Sequence, residues 1–566
     1  MFDDQFIINL IVVLFAACSS VYFFTRRAKR YMQFLQQEDY DHHRFKKWFF
    51  ARKAYDTRGS LVCLVGIAGS YLCHNYAPTF TPYITVLLAL LLFYVASREE
   101  NPMTQAKVSL KMTERAKRIY NLALCTYTVS LGLVMMFSFR HFYDYVFTAF
   151  WIKNLVLIQF ISWYLVKSNW LLDPYEKGLQ ENFANQARAI LKDVDPVVIG
   201  ITGSYGKTST KVILADILGA VAPTFSTPRS INSYMGMTRE IRERMKPGQK
   251  FAVVEMGAYH VGSIKRMCSL TPPHAAIVTA VGEMHLELFG SPENVFKAKS
   301  ELPQAVPEDG VLVVNGDNVW TRKMAELYPK KKTLIYGLNK EAGPLDVYMY
   351  DIEPTSKGTN FAIKIQGKEF QGFTKLLGEP MLSNILASFA MACAMGLAPE
   401  LVLAAIRNVK TESNRLEPVR TTISSFIGSP NGRPIRQGDI LRLNDAFNSN
   451  PVGFRAALDV LGSQKGNRKV LVTPGMVELG PKQFDENKKA AQHAASLCDQ
   501  AIIVGSTNKD ALLSGLKEGG LETEKIREVA TMKEAFSYLA YDYCDDGDIV
   551  LIENDLPDLY ESNPRF

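Results

Sequence analysis

The segment Thr202-Gly203-Ser204-Tyr205-Gly206-Lys207-Thr208-Ser209-Thr210 carries the clearest chemistry in this 566-residue chain. Its glycines let backbone N–H groups approach phosphate oxygens. Lys207 is spaced to reach the β/γ-phosphates of a nucleotide, and the Thr208 hydroxyl to hold Mg²⁺. The apolar run Val197-Val198-Ile199-Gly200-Ile201 precedes the loop and a helical pattern through Leu218 follows, so strand, glycine loop and helix N-terminus meet at one anion site. The strict G-x-x-x-x-G-K-[ST] pattern fails at its first glycine, which is Ile201 here, and the shorter T-G-x-x-G-K-T form remains. Gly203, Ser204, Tyr205, Gly206, Lys207, Thr208 and Ser209 are the expected nucleotide contacts. A second buried-type strand, Phe251-Ala252-Val253-Val254-Glu255, ends in a carboxylate that reaches the metal if the two strands are parallel neighbours. No segment resembles the ABC-transporter signature, which disfavours a transport ATPase.

Further runs follow in order. They are Glu255-Met256-Gly257-Ala258-Tyr259-His260, Gly282-Glu283-Met284-His285-Leu286-Glu287, Ala298-Lys299-Ser300-Glu301, Gly378-Glu379 to Asn384, Arg415-Leu416-Glu417, and Asn444-Asp445-Ala446-Phe447-Asn448-Ser449-Asn450-Pro451. Taken together over about residues 195–566, this set resembles the Mur ligase family, the ATP-dependent amide ligases of peptidoglycan precursors. The resemblance implies a central P-loop ATPase domain and a Rossmann-like α/β C-terminal domain, with ATP and one or two Mg²⁺ as cofactors. ATP phosphorylates a substrate carboxylate, and an amine then attacks the acyl phosphate. A carboxylate attacking a γ-phosphate needs its charge screened, hence the clamp of Mg²⁺ and Lys207.

By the same resemblance, Glu255 and His285 join Thr208 as metal ligands, and Lys207, His285 and Lys299 are catalytic. Lys299 matches the lysine that family members carbamylate with CO₂, which turns a cation into an anion able to orient a second Mg²⁺. Its residue type and the nearby Lys297 also suit an ordinary lysine on a helix surface. Asn384 matches an adenine contact, where the residue type alone reads as a buried polar group capping a turn. Arg415 and Asp445 match nucleotide contacts at the junction with the last domain, where an interdomain salt bridge is the alternative. Asn232, Asn448 and Asn450 are the implied substrate contacts, although an Asn-x-Asn-Pro turn explains the last two equally well.

Three features depart from the family pattern. An apolar N-terminal third stands where the family has its UDP-sugar domain. The usual Gly-Asp-Met stretch reads Thr473-Pro474-Gly475-Met476-Val477-Glu478-Leu479-Gly480. The Lys-Gly-Ser of the nearest family members reads Glu553-Asn554-Asp555-Leu556-Pro557-Asp558. Acids in place of a cation repel an amine substrate that bears a free carboxylate and welcome an ammonium.

These residues need elements to hold them, and the chain divides on that basis into 1–172, 173–194, 195–418 and 419–566. With 47% hydrophobic residues and a net charge of +7, composition alone is unremarkable, but the charge is unevenly placed. Residues 1–172 hold 19 Lys/Arg against 10 Asp/Glu, and the remainder 45 against 47. A nucleic-acid-binding body would carry its positive charge on the folded domains, so no nucleic-acid partner is expected. Five apolar stretches, Phe6–Phe24, Ser60–Tyr76, Thr79–Ser97, Ile119–Phe139 and Phe142–Val166, are near the length of a bilayer span and predict an α-helical membrane domain. The first is not a cleavable signal, because Asp3-Asp4 precede it and its basic cluster follows it. Residues 25–59 carry 10 Lys/Arg and residues 98–118 carry six, which assigns those loops to the cytoplasm, the N-terminus outside and everything after residue 172 inside.

Lys153, within the last stretch, either snorkels to the outer interface or contacts an anionic lipid or polyprenyl phosphate. His74 reads as an interfacial polar residue. Tyr175–Leu191 has an apolar face at helical spacing and predicts an amphipathic helix on the membrane or on the next domain. The eight cysteines form no C-x-x-C pair and read as free thiols.

The expected protein is a membrane-embedded ligase of the bacterial cytoplasmic membrane. Its partners are the lipid bilayer, a lipid-linked or nucleotide-linked envelope precursor, an amino acid or other amine, and a membrane enzyme or exporter. A polymer-forming amide ligase of the poly-γ-glutamate type and a non-catalytic nucleotide-sensing scaffold are the alternatives. His285 together with Lys299 favours the enzyme, because a sensor has no use for a second metal site.

Overall fold

The computed structural model describes residues 4–104, 108–282, 289–355, 358–409, 415–427, 433–446 and 449–556. Residues up to Leu179 form one compact unit and Gln180–Asp555 a second, with the division inside a single long helix.

The first unit is built from α1 (Asp4–Gln37), α2 (His42–Ala51), α3 (Arg58–Tyr76), α4 (Thr81–Ser97), α5 (Glu114–His141), α6 (Val146–Gln159) and the first part of α7 (Ile161–Val194). Along α1 the buried positions Val13, Ala16, Ala17, Ser20, Phe23, Phe24, Arg27, Tyr31 and Leu35 recur at helical spacing, a stripe facing the rest of the bundle. Among the described residues, three helical segments are long and apolar enough to cross a membrane: Asp4–Gln37, Pro78–Ser97 and Glu114–His141. The pair α6 and α7, bent by 55° at Phe160, makes a fourth if it counts as one span.

The five expected spans are therefore reduced, for two reasons. The stretch Ser60–Tyr76 is helical, but Arg58 and the His74-Asn75 end dilute its apolar length. The stretch Phe142–Val166 is two helices rather than one. A second difference concerns the segment 173–194, expected as a separate element carrying the amphipathic helix Tyr175–Leu191. The helix runs through Pro174. Proline there removes the bond to the Trp170 carbonyl, one turn back at an exposed residue, without ending the helix.

The basic cluster at the end of the first apolar run is not loose loop charge. Arg27 pairs with Asp56 at 2.8 Å and with Glu99 at 2.6 Å, and Arg30 pairs with Glu99 at 2.9 Å; the side chains of Arg27, Asp56 and Glu99 are fully buried. Ionic groups held this way link α1 to the start of α3 and the end of α4. Lys153 donates to Ser138 Oγ at 2.9 Å and lies over the rings of Phe137 and Phe142, so its charge is met within the unit near the α5–α6 turn. The His74 ring lies 4.2 Å from that of Tyr145.

The second unit holds two sheets. The first runs β2 (Thr224–Ser226), β3 (Phe251–Glu255), β1 (Val197–Thr202), β4 (Ala275–Val278), β5 (Val311–Asn315), β6 (Lys332–Gly337), β7 (Val347–Thr355), β8 (Gly358–Ile365), β9 (Lys368–Thr374). It is parallel through β7 and ends in the antiparallel meander β7–β8–β9. Strands β1 and β3 are apolar up to their last residues, Thr202 and Glu255, because both faces are covered. Ile199, Ile201 and Val253 face a core with α8 (Lys207–Gly219) and the helix Glu379–Ala394. Val198, Ala252 and Val254 face the opposite core with α9 (Tyr234–Arg244) and α10 (Ser263–Leu270). Ala184, Ala187 and Leu191 of α7 belong to that core, so the amphipathic face expected over Tyr175–Leu191 is covered by protein from Ala184 onward. The second sheet runs β10 (Glu417–Thr422), β11 (Asp439–Asp445), β15 (Ile549–Glu553), β12 (Lys469–Thr473), β13 (Gln500–Val504), β14 (Ile526–Val529), parallel except for β10, with helices on both faces. In each sheet the site residues sit at the carboxyl ends of the parallel strands, where open α/β sheets bind ligands.

Candidate active site

The phosphate loop leaves β1 where its neighbours diverge, β3 on one side and β4 on the other. Thr202 Oγ1 donates to the Met256 carbonyl at 2.9 Å, tying the end of β1 to the end of β3. The residues after β4 hold the loop from the other side. Ser204 N donates to Ala280 O at 2.7 Å, Ser204 Oγ bonds both the N–H and the carbonyl of Gly282, and Thr279 Oγ1 donates to Tyr205 O at 2.5 Å. This close packing explains the glycines. A Cβ on Gly203 would collide with Thr279 Oγ1; one on Gly206, which has φ +81°, would collide with Asn384 Oδ1. The loop is thus rigid before any ligand arrives, and α8 directs its N-terminus at it. Lys207 Nζ donates to the carbonyls of Gly203 (2.8 Å) and Ser204 (3.0 Å), and Thr208 Oγ1 accepts from Arg415 Nη2 at 3.1 Å.

Glu255 stands beside this loop, in register with Ile201 and 1% exposed. Asn232 Nδ2 donates to its Oε1 at 2.9 Å, so this expected substrate contact orients the carboxylate. Among the described residues Glu255 Oε2 is buried without a hydrogen bond, and the Lys211 ammonium pairs with it at 3.8 Å. At that distance the lysine offsets its charge without a direct hydrogen bond, which leaves the oxygen able to accept a further cation. With the Thr208 hydroxyl nearby, the donor set fits a hard divalent ion such as Mg²⁺. The expected third ligand, His285, lies outside the described residues, as does Asn448; among the described residues no group of three His, Cys, Asp or Glu converges.

Lys299, on the helix Pro292–Ala305, is 3% exposed and lines the same cleft, which removes the surface-lysine reading. Burial, with Lys207 repelling it, pushes its ammonium well below the ordinary lysine range against the pull of Glu255. Lys207 is lowered too, by burial and by Arg415, with Glu255 opposing. Lys211 was not among the expected site residues. It follows Lys207 by one helical turn, on the side facing β3, and the i, i+4 spacing is the signal that could have found it.

The cleft, about 1050 Å³, continues from the phosphate loop to the carboxyl ends of β11 and β15. Asn384 lines it, with Oδ1 accepting from Thr210 Oγ1 at 3.2 Å, which places the expected adenine contact directly against the phosphate loop helix. Arg415 also lines it and is joined to Thr208. Asp445 accepts from Leu416 N at 2.9 Å, an ordering of the segment between the sheets. Asn450 Oδ1 caps the helix Pro451–Ser463 through Gly453 N at 3.0 Å, so the turn-forming role is present, and the residue borders the cleft as well. Asp445 and Glu553 are register partners on adjacent strands, both lining the cleft. Burial pushes the Asp445 carboxyl up to about 6. Burial and the neighbouring Asp445 push Glu553 well above the carboxylate range.

Residues 201–392 match the Mur ligase middle domain, and residues 434–553 match the Mur ligase glutamate ligase domain. The UDP-N-acetylmuramoyl-tripeptide--D-alanyl-D-alanine ligase of Escherichia coli (strain K12) is 31% identical over 325 residues, 57% of this chain and 68% of that protein. The enzyme of the same name from Bacillus subtilis (strain 168) is also 31% identical, over 52% of this chain and 59% of its own length, so the chain spans about three fifths of that relative. A MurF crystal structure from Acinetobacter baumannii superposes with a TM-score of 0.56 at 25% identity, covering 66% of this chain and 77% of that one. A MurF ligase from Thermotoga maritima in complex with ADP shares the fold at a TM-score of 0.56 and 23% identity, covering 66% and 80%. The matched segments take in the phosphate loop, Glu255, Lys299, Asn384, Asp445 and Glu553, and with these matches the chain belongs to the Mur ligase family.

Proposed function

We propose that the protein is an ATP-dependent amide ligase that activates a carboxylate of a cell-envelope precursor and joins it to an amine. One observation carries this: a phosphate loop faces a buried carboxylate, Glu255, which pairs with Lys211 at 3.8 Å and acts electrostatically on Lys207 and Lys299 in the same cleft. Those cations suit the negative charge of a γ-phosphate approached by a carboxylate. The loop N–H groups and Lys207 hold the β/γ-phosphates while an acceptor oxygen attacks the γ-phosphorus. ADP departs and an acyl phosphate remains. The amine nitrogen then bonds to the acyl carbon, inorganic phosphate leaves, and the nitrogen loses its proton. Thr208 and Glu255 would hold Mg²⁺, which would neutralise charge on the phosphates. Arg415, already joined to Thr208, brings the segment before the second sheet over the nucleotide.

Lys299 fits carbamylation by its environment. Only a neutral amine attacks CO₂, and burial holds this one toward the neutral form. The product would be an anion, which would help hold a second divalent ion.

The relatives named above act, by their names, on a UDP-linked muramoyl tripeptide and D-alanyl-D-alanine. In this chain an apolar helical unit precedes the matched region, with three or four segments among the described residues long and apolar enough to span a bilayer. We read it as a membrane domain of the cytoplasmic membrane that keeps the cleft on the inner face and brings it to a lipid-linked precursor, raising the encounter rate. Phosphate release from ATP by the full-length protein in lipid nanodiscs tests this. Stimulation by a polyprenyl-linked precursor extract with an amine panel is the expected result. Stimulation only by soluble UDP-linked muramoyl peptides overturns the membrane reading, and turnover indifferent to both overturns the ligase. Lys207→Ala should reduce turnover at least a hundredfold, and normal turnover would refute the phosphate-loop assignment.

A further inference from the structure

We infer that α2 and the first part of α7 form a docking surface for anionic phospholipid headgroups, where Lys46, Lys47, Lys53 and Lys167 meet the lipid phosphates beside exposed aromatic rings. The inference rests on the membrane reading and names the class of lipid that this face takes.

The basic residues of the first unit separate into two kinds. Some have their charge met inside the protein. Arg27 pairs with Asp56 and Arg30 with Glu99, Arg44 pairs with Glu38 at 2.8 Å, and Arg118 pairs with Glu176 at 2.7 Å. Others have no acid to meet them. Among the described residues Lys47, Lys53 and Lys167 are exposed and make no ion pair, and Lys46 lies 5.0 Å over the Trp163 ring. That contact joins α2 to α7 and brings the four lysines to neighbouring stretches of the two helices.

The same stretches leave aromatic rings uncovered. Asp41 caps α2, accepting from His43 N at 2.7 Å and Arg44 N at 3.0 Å, and Phe45, Trp48 and Phe49 then turn into the core. Lys47 and Phe50 are left outside, and the exposed Phe50 ring lies 6.4 Å from that of Tyr55 and 6.5 Å from that of Trp163. Along α7, Trp163, Lys167 and Trp170 recur at i, i+4 and i+7 and so share one side of the helix, with Trp170 exposed. A shallow notch between the helices has Phe45, Phe49, Trp163 and Val166 as walls and Lys46 beside them. An acidic protein or free phosphate would meet the cations and leave these rings in water. Headgroups over hydrocarbon take both, since rings of this kind settle at the bilayer interface while lysines are drawn to an anionic leaflet.

The experiment is tryptophan quenching of the full-length protein in phosphatidylcholine vesicles that carry either brominated phosphatidylglycerol or brominated phosphatidylcholine at equal bromine content. Phosphatidylglycerol should associate at least threefold more strongly at low salt, and the preference should shrink at high salt, where exposed cations are screened. Combining Lys46→Gln, Lys47→Gln, Lys53→Gln and Lys167→Gln should bring the ratio close to one. Combining Trp163→Phe and Trp170→Phe should remove the preference from the signal, because those rings report on this face. Equal quenching by the two lipids, a preference insensitive to salt, or one unmoved in either set of variants would overturn the inference while the membrane reading stands. No quenching by either lipid would overturn the membrane reading and this inference with it. If the glutamine variant fails to fold, the salt series on the parent and the phenylalanine pair decide.

Discussion

Lys207, Lys211 and Lys299 crowd one carboxylate, and their roles separate by environment. Lys207 is placed by the loop, Lys211 supports Glu255, and Lys299 is the one whose buried amine is poised for CO₂. Lys299→Ala should therefore lose more than 99% of amine-dependent turnover and recover part of it when short carboxylic acids are added to the buffer; full activity without rescue would make the lysine structural. The acid pair allows a stability prediction with a definite sign. Asp445 holds its proton up to about 6 in the fold but releases it near 3.8 when unfolded. The unfolded state thus binds fewer protons between those values, stability falls as pH rises through that window, and the cost persists at neutral pH. Asp445→Asn keeps the acceptor for Leu416 N without the charge. Its melting temperature should exceed that of the parent at pH 7, by an amount on the order of 1–3 kcal/mol in stability, and the gain should vanish near pH 4. A gain independent of pH would show that charge is not the cause.

Among the elements, the phosphate loop depends on a helix distant in sequence. Gly206 turns against Asn384 on the helix Glu379–Ala394, and that helix packs along α8 through Thr210 and Ser388. Gly206→Ala introduces a side chain at positive φ and against Asn384 at once. ADP affinity should fall at least tenfold, while circular dichroism of the full chain stays unchanged; undiminished affinity would mean the loop adapts more freely than its contacts imply. In the first unit the ionic cluster of Arg27, Arg30, Asp56 and Glu99 plays the comparable part, fixing where three helices meet. Removing one partner of such a buried set typically costs about 3–5 kcal/mol.

At the scale of the whole chain, the division into two units falls within α7, and the residues that anchor this helix to the α/β core begin at Ala184. A fragment beginning at Gln180 should therefore be monodisperse without detergent and bind ADP as the full chain does, read by gel filtration and fluorescent-nucleotide titration. Aggregation, or affinity more than tenfold weaker, would show that the first unit completes the nucleotide site. Precursor-stimulated turnover, by contrast, should be lost from the fragment if the apolar helices bring the acceptor to the cleft.

What the sequence could determine is what short-range pattern encodes. A glycine loop between an apolar strand and a helix start, a buried-type strand ending in Glu255, and turn residues before Pro451 are local signals, and each holds in the structure. The apolar stretches were equally legible as helices, because hydropathy and helical spacing are local too. The reduction from five spans came from a bend at Phe160 and from the polar ends of α3, and whether Pro174 interrupts a helix depends on which neighbours tolerate the lost bond. The burial of Lys299, the recruitment of Lys211, the use of Asn232 to orient Glu255 and the pairing of Asp445 with Glu553 all depend on residues tens to hundreds of positions apart. Desolvation and charge pairing arise only when the chain is packed, since a lysine or a glutamate reads the same in sequence whether it faces water or a second carboxylate. The kind of chemistry was therefore legible in the residues, and which side chains share a proton, a cation or a wall was decided by the tertiary structure.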